Sequence, residues 1–251
     1  MTGLLGAIVF LTRVPVRTSR SLDTASSVPW FPIVGLLLGG LVGGVAALLE
    51  PWASPSVAAG VAIVVGLLVT GCFHEDGLGD VADAFVGGWT RDDRLRILKD
   101  SRHGTYGVAA IVSSIALRFV ALGALVAAGP EAAVIGAMAA HGLARAGAVG
   151  TMLVARPATG KGLGADYVAR LRRGPTAIGI GATIAIVSFV GGWWVAAAAA
   201  TVAATTTAAV TWSRRKIGGF SGDVLGAIEQ CAEIAVFVVL SMIAGHHQPW
   251  W

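Results

Sequence analysis

Residues 177–212 read AIGIGATIAIVSFVGGWWVAAAAATVAATTTAAVTW and carry no charge. A helix crosses a bilayer with about 20 apolar residues. The run is therefore too long for one crossing and too apolar for a water-facing element. The break at Gly191-Gly192-Trp193-Trp194 supplies a turn and two indoles suited to the membrane interface. The run divides into two spans, and the rest of the chain repeats its character. Of 251 residues, 55% are hydrophobic and only 13% are charged. Soluble domains carry about 25% charged residues. Mean hydropathy is +0.77. This excludes a disordered chain, which needs low hydrophobicity and high net charge. Two cysteines are too few for a disulfide scaffold. The fold class is all-α: a polytopic integral membrane helix bundle.

Seven spans are expected, near residues 30–49, 53–73, 105–128, 131–154, 176–191, 193–212 and 225–244. Residues 3–11 are apolar but too short to cross, and lack the marks of a cleavable signal. They are expected to form a short interfacial helix. The basic residues support this count. Arg13, Arg17 and Arg20 precede the first span, and Arg91, Arg94, Arg96, Lys99 and Arg102 lie between the second and third. Arg156, Lys161, Arg170, Arg172 and Arg173 lie between the fourth and fifth, and Arg214, Arg215 and Lys216 between the sixth and seventh. The alternate connections carry none. By the positive-inside rule the N-terminus is cytoplasmic and the C-terminus outside. The pI of 9.6 then needs no nucleic-acid partner; the lipid bilayer accounts for it. One membrane domain, 1–251, is expected, with cytoplasmic loops near 74–104, 155–175 and 213–223. Cys72 and Cys231 read as small packing residues. His246, His247, Trp250 and Trp251 read as an interfacial tail.

The acids are concentrated. Residues 74–83, HEDGLGDVAD, hold Glu75, Asp76, Asp80 and Asp83 just past the second span. Positions 76, 80 and 83 share one face of a helix. Like charges there repel unless a cation repays them, and oxygen ligands suit Mg²⁺ or another hard divalent ion. The alternative is a solvated acidic loop. Residues 99–107, KDSRHGTYG, place Lys99, Asp100, Ser101 and Arg102 beside two glycines at the mouth of the third span. Such a segment can hold phosphate oxygens or be a plain basic loop. Residues 218–226, GGFSGDVLG, open the seventh span with Ser221 and Asp223. Asp223 can face a metal or cap the helix. Glu229 and Glu233 follow inside that span, where a charge costs at least ~2.5–3.5 kcal/mol at the centre and usually marks function. Arg118 and Arg145, inside other spans, can pair with these acids or hold a phosphate. A carboxylate-held metal ringed by cations on one membrane face suits transfer of a phosphate-linked group.

Five motifs in order resemble the cobalamin synthase family, polytopic membrane proteins of about this length. They are Phe10-Leu11-Thr12-Arg13-Val14-Pro15, Phe31-Pro32-Ile33-Val34-Gly35, the acidic segment, the basic segment, and the Gly218–Glu233 segment. Gly79 stands where the family usually has Ala, and Ala84 where Gly is common, and both are small. Gln230 stands where the family has the first of two Glu, Glu233 matches the second, and Glu229 falls one residue off. The resemblance favours Glu233 over Glu229, and a Gln230→Glu change is expected to be tolerated. It implies adenosylcobinamide-GDP ribazoletransferase activity: adenosylcobinamide-GDP and α-ribazole, or its 5′-phosphate, give adenosylcobalamin, or its 5′-phosphate, and GMP, with Mg²⁺. The implied metal ligands are Asp76, Asp80, Asp83, Asp223 and Glu233. Asp83 or Asp80 is the implied catalytic group, with Asp83 favoured as general base. Lys99, Asp100, Ser101, Arg102, Arg145 and Ser221 are the candidates for substrate and phosphate. The expected setting is a prokaryotic inner membrane, and a homo-oligomer is compatible with it. Rival readings are a CDP-alcohol phosphotransferase, whose Ala-Arg after the acidic motif is missing, and a cation transporter.

Overall fold

A computed structural model describes residues 2–17, 24–160 and 163–246. Arg20, Lys161, His247, Trp250 and Trp251 lie outside the described residues. Among the described residues the chain is all-helical, with one isolated bridge between Pro157 and Phe220. The elements are α1 (Thr2–Leu11), α2 (Thr24–Ser27), α3 (Phe31–Leu49), α4 (Pro55–Thr70), α5 (Phe73–Ala82), α6 (Arg91–Ile97), α7 (Thr105–Ala128), α8 (Pro130–Val154), α9 (Leu163–Ala169), α10 (Arg173–Gly191), α11 (Trp194–Ile217) and α12 (Gly222–Ala244). Six helices, the first extended back to Ala25, are long and apolar enough to cross a membrane. The chain is a multi-pass membrane protein.

The second of the seven expected spans, 53–73, needs correction. α4 has 16 residues and stops at Thr70. Gly71 (φ 66°) and Cys72 (φ 57°) are both left-handed, and the chain turns through 89° before α5. Only α4 and α5 together have the length and apolarity of a span. We take α4 as the crossing and α5 as its surface leg. The acidic segment is thus helical, as its spacing requires, and not a loop. Residues 74–104 hold α5, a π-helical turn at Asp83–Gly87, and α6. α11 likewise runs on to Ile217, so Arg214, Arg215 and Lys216 occupy its last turn, where cations complement the helix dipole.

Small residues let the helices meet. On α3, Gly35, Gly39 and Gly43 lie one turn apart. A Cβ on any of them would collide with the α8 backbone around His141, Ala137 and Ala133–Val134. In lipid there is little hydrophobic drive between helices, so such close backbone packing supplies cohesion. An apolar cluster including Leu36, Leu122, Leu125, Leu143, Trp194 and Phe237 fills the bundle. The cysteines do not pack there: Cys72 and Cys231 are free and stand on the outside.

The charged connections meet at one end. Arg91 donates to the carbonyls of Ile217 and Ala158, both at 2.9 Å. Arg94 reaches the Lys216 carbonyl at 3.2 Å, and Lys216 Nζ the Phe85 carbonyl at 2.9 Å. Arg13 N–H bonds the Val69 carbonyl at 2.7 Å. These contacts tie four basic segments, distant in sequence, to the end that carries α5.

Candidate active site

α5 lies against α7 and α12, and glycines set its distance. A Cβ on Gly77 would press on the backbone of Asp223, and one on Gly79 on the ring of His103. The sparse side chains of Gly77-Leu78-Gly79 thus let two other segments approach the acidic face.

Three groups converge there. His103 Nε2 lies 3.3 Å from Asp76 Oδ1, and His103 Nδ1 lies 3.4 Å from Asp80 Oδ1. The ligand atoms of Asp76, Asp80 and His103 lie within 4.8 Å of one another. Burial, then the neighbouring carboxylates Asp76 and Asp223, push the Asp80 carboxyl up to about 6, against a smaller opposing pull from His103. A site that strains a carboxylate in this way favours a cation. The carboxylates suit a hard ion such as Mg²⁺, and the imidazole can orient them by hydrogen bonds. The residues present therefore fit a divalent metal. His103 was not singled out from sequence. It occupies a variable position of the basic motif, and only the fold brings it to α5.

Asp83 has a different surrounding. Its carboxylate accepts the Gly104 N–H at 2.6 Å and the Gly107 N–H at 2.9 Å. It caps α7 from another element, and the π-helical turn that begins at Asp83 directs it there. At the start of α12 the Ser221 hydroxyl accepts the Val224 N–H at 3.2 Å. Ser221 is therefore the cap, which releases Asp223 from that role. The Asp223 side chain receives a 3.3 Å bond from Ser221 and borders the same cavity as Asp76.

Lys99, Asp100, Ser101 and Arg102 are not drawn into this cluster. Arg102 grips Asp100 through Nε and Nη2 at 3.0 and 2.8 Å, which holds the Asp100 carboxyl down at about 2. Lys99, Asp100 and Ser101 border a shallow surface depression with Asp92 and Arg96.

Beneath the acidic face lies a buried charge network. Arg118 bonds Glu75 at 2.7 Å and Glu233 at 3.0 Å. Arg145 pairs with Glu229 at 2.6 Å and Glu233 at 3.4 Å. His74 meets Glu229 at 3.1 Å, and His141 meets Glu233 at 2.7 Å. Gln230 joins in, donating to Glu229 at 3.1 Å and accepting from Ser114 at 2.9 Å. All these residues are buried. Three carboxylates face two guanidiniums and two imidazoles, so the charges nearly cancel, as burial demands. Glu233 and Arg145 are thus tied to each other and lie apart from the Asp76–Asp80–His103 group. Glu229, which the motif comparison set aside, is as fully engaged as Glu233. This pairing also weighs against cation transport, since Glu75, Glu229 and Glu233 each already have an arginine partner. Between network and acidic face is a cavity of about 130 Å³, bordered by Asp76, Asp223, His74, Arg145 and Glu229.

Known proteins agree with this picture. The profile of the family described as cobalamin-5-phosphate synthase matches residues 3–241. A Shewanella sp. (strain W3-18-1) protein named adenosylcobinamide-GDP ribazoletransferase is 32% identical over 246 residues, covering 95% of this chain and 93% of its own. Proteins of the same name from Bradyrhizobium diazoefficiens and Shewanella frigidimarina are each 36% identical, covering 93% of this chain and 90% and 92% of their own. No solved structure matches the chain. With five motifs, an acidic membrane-face helix and a match along nearly its whole length, the chain belongs to the cobalamin-5-phosphate synthase family.

Proposed function

We propose that this chain is an adenosylcobinamide-GDP ribazoletransferase of cobalamin biosynthesis. The observation that carries the reading is the convergence of Asp76, Asp80 and His103, with Asp76 and Asp223 bordering the adjoining cavity. Relatives of that name match along nearly the whole chain.

In the reaction a hydroxyl of α-ribazole, or of its 5′-phosphate, attacks the phosphorus that carries the cobinamide. A P–O bond forms to the ribose, the P–O bond to GMP breaks, and the hydroxyl proton goes to a base. Asp76 and Asp80 would hold Mg²⁺, with Asp223 as a further oxygen donor. Bound there, the cation would neutralise the diphosphate and the departing GMP. His103 is the base within reach of that face. Asp83, with both oxygens on backbone N–H groups, positions α5 against α7 instead. The buried arginines hold the carboxylates of the network and so fix α5, α7, α8 and α12 relative to one another. The site is proposed to face the cytoplasm of a prokaryotic inner membrane, with the C-terminus outside.

The test is to incubate membranes containing the protein with adenosylcobinamide-GDP, α-ribazole and Mg²⁺. GMP release matched by a new corrinoid product is expected. Cation flux in vesicles without that product would overturn the reading.

A further inference from the structure

Two of the five motifs play no part in the chemistry above. Each begins with a phenylalanine, Phe10 on α1 and Phe31 on α3. The two rings stack, with centroids 5.2 Å apart and planes 2° from parallel. Phe73 meets Phe10 edge-on at 5.1 Å, and Tyr167 on α9 meets Phe10 at 5.3 Å and Phe31 at 6.1 Å. Four aromatic residues from α1, α3, α5 and α9 thus border the same cavity as Asp76 and Asp223. Val149, Met152 and Leu225 complete the apolar lining.

We propose that this cavity binds the benzimidazole base of the ribazole substrate. The inference rests on the transferase reading and deepens it by assigning one substrate to one place. Size is the first argument. A cavity of about 130 Å³ is on the scale of a flat aromatic ring and cannot take a corrin macrocycle. Polarity is the second. The base of adenosylcobinamide-GDP is guanine, whose edge of donors and acceptors costs free energy if buried unpaired. The polar side chains His74, Arg145 and Glu229 on its border are paired with one another, with Arg145 Nε left without a partner. The methyl-bearing benzo edge of the ribazole base asks for no partner and gains from stacking on aromatic side chains. Placement is the third. A base against Phe10, Phe31 and Tyr167 shares its cavity with Asp76 and Asp223, which puts its ribose hydroxyl near the proposed metal face. The N-terminal helix and the segment carrying Tyr167 then form the nucleoside site's wall.

The test measures initial rates with each substrate varied in turn. Free 5,6-dimethylbenzimidazole is expected to inhibit the unaltered protein competitively against α-ribazole and not against adenosylcobinamide-GDP. Phe10→Leu and Tyr167→Leu are expected to raise KM for α-ribazole roughly tenfold while leaving KM for adenosylcobinamide-GDP unchanged. Competition against adenosylcobinamide-GDP instead, or no inhibition, overturns the assignment without reference to any variant's folding. So does a KM rise confined to adenosylcobinamide-GDP. A wild-type protein that makes no corrinoid product would sink the transferase reading itself, a result distinct from either.

Discussion

The carboxylate of Asp83 accepts the backbone N–H of Gly104 at 2.6 Å, linking the end of the acidic helix to the start of α7. A second bond, from Gly107, makes the contact two-pronged. Asp83→Ala leaves two N–H groups at a helix start without their acceptor. The expected cost is about 1–3 kcal/mol. Thermal unfolding in detergent should show a lower midpoint even with Mg²⁺ removed, because the role is structural. An unchanged midpoint would contradict it.

Asp80 makes metal binding depend on pH. Its folded-state pKa is raised to about 6, from an ordinary value of 3.8. Between those values the folded protein keeps a proton that the unfolded chain has released. Stability from this group therefore falls as pH rises through that window, and the strain is fully present above about 6. A divalent cation bound there relieves it. Mg²⁺ affinity should climb as pH rises through about 6, with proton release on binding near that pH. Calorimetric titration in two buffers of different ionisation enthalpy reads both. Affinity that is flat from acid to neutral pH would count against Asp80 as a ligand.

Gln230 is matched to its neighbours. Its amide donates to Glu229 and its carbonyl accepts from Ser114. The family pattern favours Glu here and by itself suggests that Gln230→Glu is harmless. The geometry says otherwise, since the change removes a donor and sets one buried carboxylate against another. A loss of about 1–3 kcal/mol is expected, measured as a lower unfolding midpoint. Wild-type stability would restore the motif-based expectation.

Arg118 serves two buried acids, Glu75 and Glu233. Arg118→Met strands both, and breaking a buried pair by removing one partner costs about 3–5 kcal/mol. Folded yield in detergent should drop sharply. Adding Glu233→Gln should recover part of it, and a double variant no better than the single one would show that the pairing matters little.

Much of this molecule was legible in its sequence because bilayers demand long apolar runs and cytoplasmic cations. The break at Gly191-Gly192 falls between α10 and α11 as read. The shared face of Asp76 and Asp80 was also legible, since both lie on α5. The turn at Gly71-Cys72 was not, because an uninterrupted apolar run gives no sign of an 89° bend. The arrival of His103 at α5 and the departure of Asp83 to α7 depend on contacts 20 or more residues apart in sequence, which helical periodicity does not encode. Pairing of Arg118 with an acid of the seventh span was legible and is met by Glu233, whereas its second partner, Glu75, was hidden by the same limit. Two intramembrane charges announce themselves as costly, but which acid each one meets is decided by packing. The choice of cap at α12 turned on one hydroxyl: Ser221 takes it and leaves Asp223 to the cavity.

The central claim is that the acidic face of α5 holds the metal used in transfer. The most direct measurement is GMP release by purified protein as Mg²⁺ is titrated, for the wild type and for Asp80→Ala, with correct folding of the variant confirmed. The account expects Mg²⁺-dependent release from the wild type and a loss of roughly a hundredfold or more in the variant at saturating Mg²⁺. Wild-type turnover by Asp80→Ala, or equal release without any divalent ion, would contradict it.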